Sequence, residues 1–194
     1  MRVGSFLVVM LVFLSAADTG AAERVPNVVF ILADDLGWAD LGCYGGDLHE
    51  SPRIDELARQ GVRFTDAYAA APVCTPTRAA IMTGKFPAQL HMTIWHEASR
   101  RPPQNRRLIP PVTVGDLPHR EVTIAKALHS TGYATAHVGK WHLGGAGHYP
   151  QTQGFDVNVG GTFLGSAGHV LLSLSGTLES VEGVSLCAAL GVGQ

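Results

Sequence analysis

Six consecutive apolar residues, Val28-Val29-Phe30-Ile31-Leu32-Ala33, run directly into two carboxylates, Asp34 and Asp35. A continuous β-branched and aromatic run without alternation reads as a strand buried on both faces. Such strands belong to α/β architectures, where helices cover both sides of a mostly parallel sheet. In open sheets of this type, ligands sit beyond the carboxyl ends of the strands. Adjacent carboxylates placed there repel each other, and a divalent cation between them relieves the cost. The alternative is that one aspartate caps a turn while the other is solvated.

A second junction has the same form. Tyr133-Ala134-Thr135-Ala136-His137-Val138 reads as a strand, and Gly139-Lys140-Trp141-His142-Leu143-Gly144 leaves its carboxyl end. Lys140 and His142, two apart on an extended segment, point to one side. A lysine and a histidine so placed can bind the oxygens of an oxyanion and supply a proton. A surface lysine beside a structural histidine is the competing reading.

Between these junctions lies Val73-Cys74-Thr75-Pro76-Thr77-Arg78-Ala79-Ala80-Ile81-Met82-Thr83-Gly84. It places a cysteine ahead of a short helix, with Pro76 at an early helical position and Gly84 as the stop. A helix amino terminus offers unpaired N–H groups and the positive end of the macrodipole, which suits an anion. Arg78, one turn on, adds a permanent charge on the same side.

The rest of the chain supports this frame. Ser51 to Gly61 predicts a helix capped by Ser51, with Pro52 at its first position and Ile54, Leu57 and Ala58 buried. Val62 to Tyr68 alternates as a strand would. Phe86 to Pro118 is rich in Pro, Arg and His without period, and its basic pairs Arg100-Arg101 and Arg106-Arg107 are a solvated loop or a patch for an anionic polymer. Glu121 to Ser130 has helical spacing with Ile124, Ala127 and Leu128 on one face, and Gln153 to Gly161 is a Gly-rich turn.

Residues 1–22 carry Arg2, an apolar run from Phe6 to Leu14 and the small residues Gly20-Ala21-Ala22, the pattern of a cleaved secretory signal. The run is shorter than the roughly 20 residues that span a bilayer, so export without a stable membrane anchor is expected. A net charge of -2 gives no reason to expect nucleic acid. Cys43, Cys74 and Cys187 make an odd count, leaving either one disulfide plus a thiol or a Cys74 destined for modification.

Four segments together resemble the type I sulfatases, an arylsulfatase-like family of the alkaline-phosphatase superfamily. They are Pro26 to Gly37, the Cys-x-Pro-x-Arg stretch from Cys74 to Gly84, Gly132-Tyr133 leading to Gly139–Gly144, and Gly154-Phe155-Asp156. The resemblance implies an α/β fold with a mostly parallel sheet sandwiched by helices. It also implies a domain plan of signal 1–22, an N-terminal part of a sulfatase catalytic domain at 23–166, and an atypical tail at 167–194. Asp34 and Asp35 match ligands of the family's Ca²⁺, together with the residue at Cys74. Cys74 matches the residue converted to Cα-formylglycine. As a hydrated diol, one hydroxyl attacks sulfur and the other re-forms the aldehyde to release sulfate. Arg78 matches the arginine that holds this group, and Lys140 and His142 match the pair that contacts sulfate. Thr75, Pro76 and Ala79 complete the motif read by a formylglycine-generating enzyme during maturation.

The implied substrate is a sulfate ester, a small aryl or carbohydrate sulfate, hydrolysed in the periplasm or outside the cell. Relatives that share the cysteine signature hydrolyse phosphonate monoesters or phosphodiesters, an alternative activity. Family members are much longer and carry their remaining calcium ligands downstream, in motifs with no counterpart in residues 145–194. The tail lacks Lys, Arg and aromatic residues, so the resemblance is expected to end near His169 in a truncated or frameshifted product. An inactive fragment is therefore the third reading. Ser166 is a weaker substrate-side candidate.

Overall fold

The computed structural model describes residues 25–101, 105, 107–163 and the backbone of strands at 171–172, 179–180 and 184–191. The signal segment 1–22 and Ser166 lie outside the described residues. In chain order the elements are β1 (Val28–Ala33), α1 (Pro52–Gln60), α2 (Cys74–Thr83), α3 (His96–Ser99), α4 (Ile124–His129), β2 (Tyr133–Gly139), β3 (Val157–Val159), β4 (Leu171–Leu172), β5 (Glu179–Ser180) and β6 (Val184–Gly191). Short 3-10 turns occupy Gly42–Tyr44 and Pro150–Gln153.

The main sheet has the order β1-β6-β2-β3, and β4 pairs with β5 separately. β2 and β3 are parallel, while β6 runs antiparallel to both β1 and β2. β1, β2 and β3 therefore point the same way, as the α/β reading expects, with β6 inserted against them. Ser185 of β6 lies opposite Leu32 on one side and Gly139 on the other. This insertion separates the backbones of β1 and β2 by two strand spacings, about 10 Å.

The core gathers on the β2 side. Met82 of α2, Leu90, Met92, Leu117, Trp141 and Phe155 are all buried. Trp141, His137 and Phe155 form a mutual edge-to-face cluster, with centroids 5.2, 5.4 and 6.0 Å apart. β2 buries Thr135, His137 and Gly139 in alternation, as a half-covered strand should. Burial pushes the His137 imidazole down to about 4, and the charge of Arg78 adds to the effect. His137 is thus a neutral core residue.

Several local expectations give way. β1 is not fully buried: five of its six residues are exposed, and Ile31 is 65% exposed. Among the described residues it is an edge strand paired only with β6, whereas α4 packs on β2 and α2 on α4. Val62 to Tyr68 forms no strand, and Val62, Phe64 and Tyr68 are exposed.

The helix over 52–60 forms, but it leaves Ile54 and Leu57 exposed. Its polar side does the docking. Asp55 Oδ1 accepts from the Cys43 amide (2.7 Å) and from the Ser51 hydroxyl (3.0 Å), and Ser51 Oγ accepts from the Gly42 amide (2.8 Å). Ser51 therefore ties a turn down instead of capping the helix through its side chain.

The last helix begins at Ile124, not Glu121, because Thr123 caps it by accepting from the Lys126 amide (3.1 Å). Its buried residue is Ala125, while Ile124 and Ala127 face out. Glu121 instead is buried in an ion pair with Lys85 at 2.5 Å. The Gly-rich stretch after Gln153 contains the short strand β3, and the bland tail contributes β6 to the main sheet.

Candidate active site around Cys74

Helix α2 starts on Cys74 itself, with Val73 as the extended N-cap and Gly84 closing the other end at φ 68°. Its first turn is packed face down: Thr75, Pro76, Arg78 and Ala79 are buried and Cys74 is half-buried. The burial has a specific cause, since two side chains of that turn grip the Lys140–His142 segment. Thr75 Oγ1 donates to the His142 carbonyl (3.0 Å) and accepts from the His96 amide (3.1 Å). The Arg78 guanidinium donates to the Lys140 carbonyl (2.5 Å).

His142 is held in the left-handed region at φ 58°, which for a non-glycine residue costs on the order of 1–3 kcal/mol. The surroundings over-determine it, because its carbonyl is bound by Thr75 and its amide donates to the Thr162 carbonyl (3.2 Å). Its Nε2–H donates to Glu97 Oε2 (2.9 Å). Its Nδ1 is buried and makes no hydrogen bond of ordinary geometry, although Cys74 is close enough for each to shift the other's pKa. Burial pulls the imidazole down, but hydrogen bonding and charge from Cys74 and Glu97 outweigh it and raise the pKa. Burial likewise pushes the Cys74 thiol up, yet His142, Lys140 and the Thr75 amide together hold it below the ordinary thiol value. Residue 74 is thus the place where negative charge is stabilised.

Lys140 is buried, and its ammonium donates to Asp34 Oδ2. Arg78 stands 3.8 Å from Asp34 Oδ1. The lysine chain is what spans the gap that β6 opens between β1 and β2. Asp34, Asp35, Pro72, Cys74, Thr77 and Arg78 line one cleft. Asp35, at φ 54°, is the exposed carboxylate of the two.

The six residues singled out from the sequence thus lie together at one sheet edge. They fall short of a cation site, however. Ca²⁺ takes six to eight oxygens, whereas the Asp34 carboxylate is engaged by Lys140 and lies beside Arg78. Among the described residues no group of three or more His, Cys, Asp and Glu side chains is placed to hold a metal.

Sequence reasoning missed Glu97, His96 and Asp116. His96 is buried, donates from Nδ1 to the Gly115 carbonyl (2.8 Å) and has its ring centroid 6.4 Å from that of His142. Asp116 accepts from the Gly145 amide (2.9 Å) and binds Arg100 through both oxygens (3.2 and 3.1 Å). That answers part of the basic cluster: Arg100 is a structural ion pair. No periodicity marks this stretch, and only the fold brings it to the site. Asp156 is structural too, accepting from the Thr135 amide (2.7 Å). Cys43 and Cys74 are both free thiols, and Cys187 lies on β6 opposite Phe30 and His137 in register.

Known proteins resemble this chain in sequence and in fold. The family profile "Sulfatase" matches residues 26–169. Steryl-sulfatase of Mus musculus is 44% identical over 151 residues, covering 74% of this chain and 23% of that protein. Arylsulfatase A of Homo sapiens is 43% identical over 144 residues, covering 72% of this chain and 26% of that protein. The solved structure of Ps i-CgsB in complex with k-i-k-neocarrahexaose superimposes with a TM-score of 0.53 at 36% identity, covering 64% of this chain and 25% of that one. The chain thus spans about a quarter of the length of the curated relatives it matches.

Proposed function

The chain belongs to the sulfatase family, and from that premise we propose that it serves the hydrolysis of a sulfuric ester, R–O–SO₃⁻ plus water giving R–OH and hydrogen sulfate, with residue 74 as the nucleophile. The observation that carries this reading is the half-buried thiol at the start of α2, held below its ordinary pKa by His142 and Lys140. A position that stabilises a thiolate also favours a sulfated oxygen nucleophile. The matured form, with Cys74 converted to formylglycine by a generating enzyme, supplies a hydroxyl nucleophile and a route for releasing sulfate.

The chain's own residues do the rest. The amino terminus of α2 and the Lys140 ammonium attract the sulfate oxygens. His142 lies beside residue 74 and exchanges a proton there. Arg78 fixes the Lys140 backbone and adds charge from a buried position. Asp34 restrains the lysine. Asp34 and Asp35 are the carboxylates that a calcium ion would recruit, at the cost of the Asp34–Lys140 pair. The substrate class is a small aryl or carbohydrate sulfate. An exported protein with a cleaved segment at 1–22 fits such a substrate. Among the described residues no helix is long and apolar enough to cross a membrane.

One observation favours a second reading, a catalytically silent protein: the Asp34 carboxylate is occupied by Lys140, and among the described residues no three-donor cluster stands beside it. Mass spectrometry of the Cys74 peptide, after co-expression with a formylglycine-generating enzyme, tests maturation, and turnover of an aryl sulfate by the aldehyde-bearing chains separates the two readings. The proposed function expects an aldehyde in place of the thiol. A peptide that keeps its thiol under those conditions refutes it.

A further inference from the structure

The polar contact that ties α3 to the site has no place in the roles given so far. α3 follows Trp95, and its second residue, Glu97, is the carboxylate that receives the His142 Nε2–H at 2.9 Å. The contact joins residues 45 apart in sequence, so it is a product of tertiary structure. α3 is itself anchored on both sides. The His96 amide donates to the buried Thr75 hydroxyl, and the His96 ring donates to the Gly115 carbonyl. Ser99 Oγ donates to the His96 carbonyl (2.6 Å) and closes the turn. A four-residue helix fixed in this way can hold a carboxylate still.

His142 is constrained from its own side as well. Its backbone is immobilised at an unusual φ by Thr75 and Thr162, which leaves the side-chain torsions as the remaining freedom. Its Nδ1 is buried and makes no hydrogen bond of ordinary geometry, a state that a protein does not retain at random because an orphaned buried polar atom is costly. With Nε2 bound to Glu97, Nδ1 is the nitrogen left for the residue at the α2 terminus.

We propose that Glu97 is the positioning residue of this site: it locks the His142 ring by accepting the Nε2–H, so that Nδ1 is the nitrogen presented to residue 74. Glu97 itself touches no reacting atom. A carboxylate behind a working imidazole fixes tautomer and ring orientation, the role such partners play wherever a histidine acts through its other nitrogen. The kinetic consequence rests on the sulfatase reading, whereas the ring assignment does not.

The test uses the full chain labelled with ¹⁵N-histidine. The hydrogen-bonded Nε2–H of His142 is expected as a slowly exchanging downfield resonance, absent from His142→Gln. Glu97→Ala removes it while circular dichroism stays that of the parent. Glu97→Gln, which keeps shape and one acceptor, shifts the resonance but retains it, and serves if Glu97→Ala fails to fold. In aryl sulfate turnover by matured protein, Glu97→Ala lowers kcat by roughly 10–100-fold with KM within about two-fold, the scale of losing an outer partner of a working histidine. A resonance unchanged in both variants overturns the proposal, as does an unchanged kcat once the resonance is lost. If the parent protein releases no sulfate, the sulfatase reading fails, and the ring assignment still stands or falls on the resonance.

Discussion

Thr75→Val removes one hydroxyl and almost no volume, and it is expected to be among the more damaging substitutions in this protein. Thr75 is fully buried, and its hydroxyl serves two backbone groups at once, the His142 carbonyl at 3.0 Å and the His96 amide at 3.1 Å. Valine satisfies neither, and no water reaches them. An orphaned buried group costs about 1–3 kcal/mol, so with partial relaxation the pair costs about 2–4 kcal/mol. For a domain of this size each kcal/mol corresponds to about 2–4 °C in Tm, which gives a fall of roughly 5–15 °C. Thr77→Val is the control, because its hydroxyl makes one half-buried bond, to the Ala71 carbonyl at 2.7 Å, and its loss costs about 1 kcal/mol. Urea unfolding of both variants measures the difference, with m unchanged. A Thr75→Val penalty below about 1 kcal/mol, or no larger than that of Thr77→Val, refutes the clamp between α2 and the Lys140–His142 segment.

Other outcomes follow from the same geometry. His137 has a folded pKa of about 4 against 6.5 unfolded, so below pH 6.5 the unfolded chain binds a proton the folded chain refuses. Stability from this group is therefore full above pH 6.5 and falls by about 3 kcal/mol as pH drops towards 4, with no further loss below. His137→Phe should flatten that part of the pH–stability curve, and an unchanged slope counts against a neutral core histidine. Gly154→Ala places a methyl 2.7 Å from the Lys126 amide nitrogen at φ 101° and should cost about 3 kcal/mol or more, whereas Gly84→Ala, at φ 68° with open space, should cost only about 1 kcal/mol. Equal melting shifts for the two would contradict the close approach of Gly154 to α4. Calcium titration by calorimetry should give a Kd no tighter than about 10⁻⁴ M, the range of weak sites; micromolar binding would show that Asp34 leaves Lys140 readily.

What was legible in the sequence was whatever local chemistry writes into consecutive residues. An apolar run ending in Asp34-Asp35 and a strand ending in Lys140-Trp141-His142 name both a sheet and its functional edge. The Cys74 stretch carries its own start, stop and charge. Burial was less legible, because it depends on which elements arrive. The Val28–Ala33 run reads as a doubly covered strand, yet it stands at the edge of the described sheet beside β6. The β6 strand was hidden in a tail without core period, and its slot is set by pairing to β1 and β2, not by its own pattern. Glu97 was invisible for the same reason. An acid in an aperiodic Arg- and Pro-rich stretch carries no mark, and its meaning comes from a histidine 45 residues away.

The most direct test of the account is turnover of an aryl sulfate by protein matured with a formylglycine-generating enzyme, measured beside an aryl phosphonate and beside Cys74→Ala. Sulfate release in proportion to the fraction of chains carrying the aldehyde is expected, with slower cleavage of the phosphonate and no release from Cys74→Ala. Full activity in Cys74→Ala, or none from chains that carry the aldehyde, would contradict it.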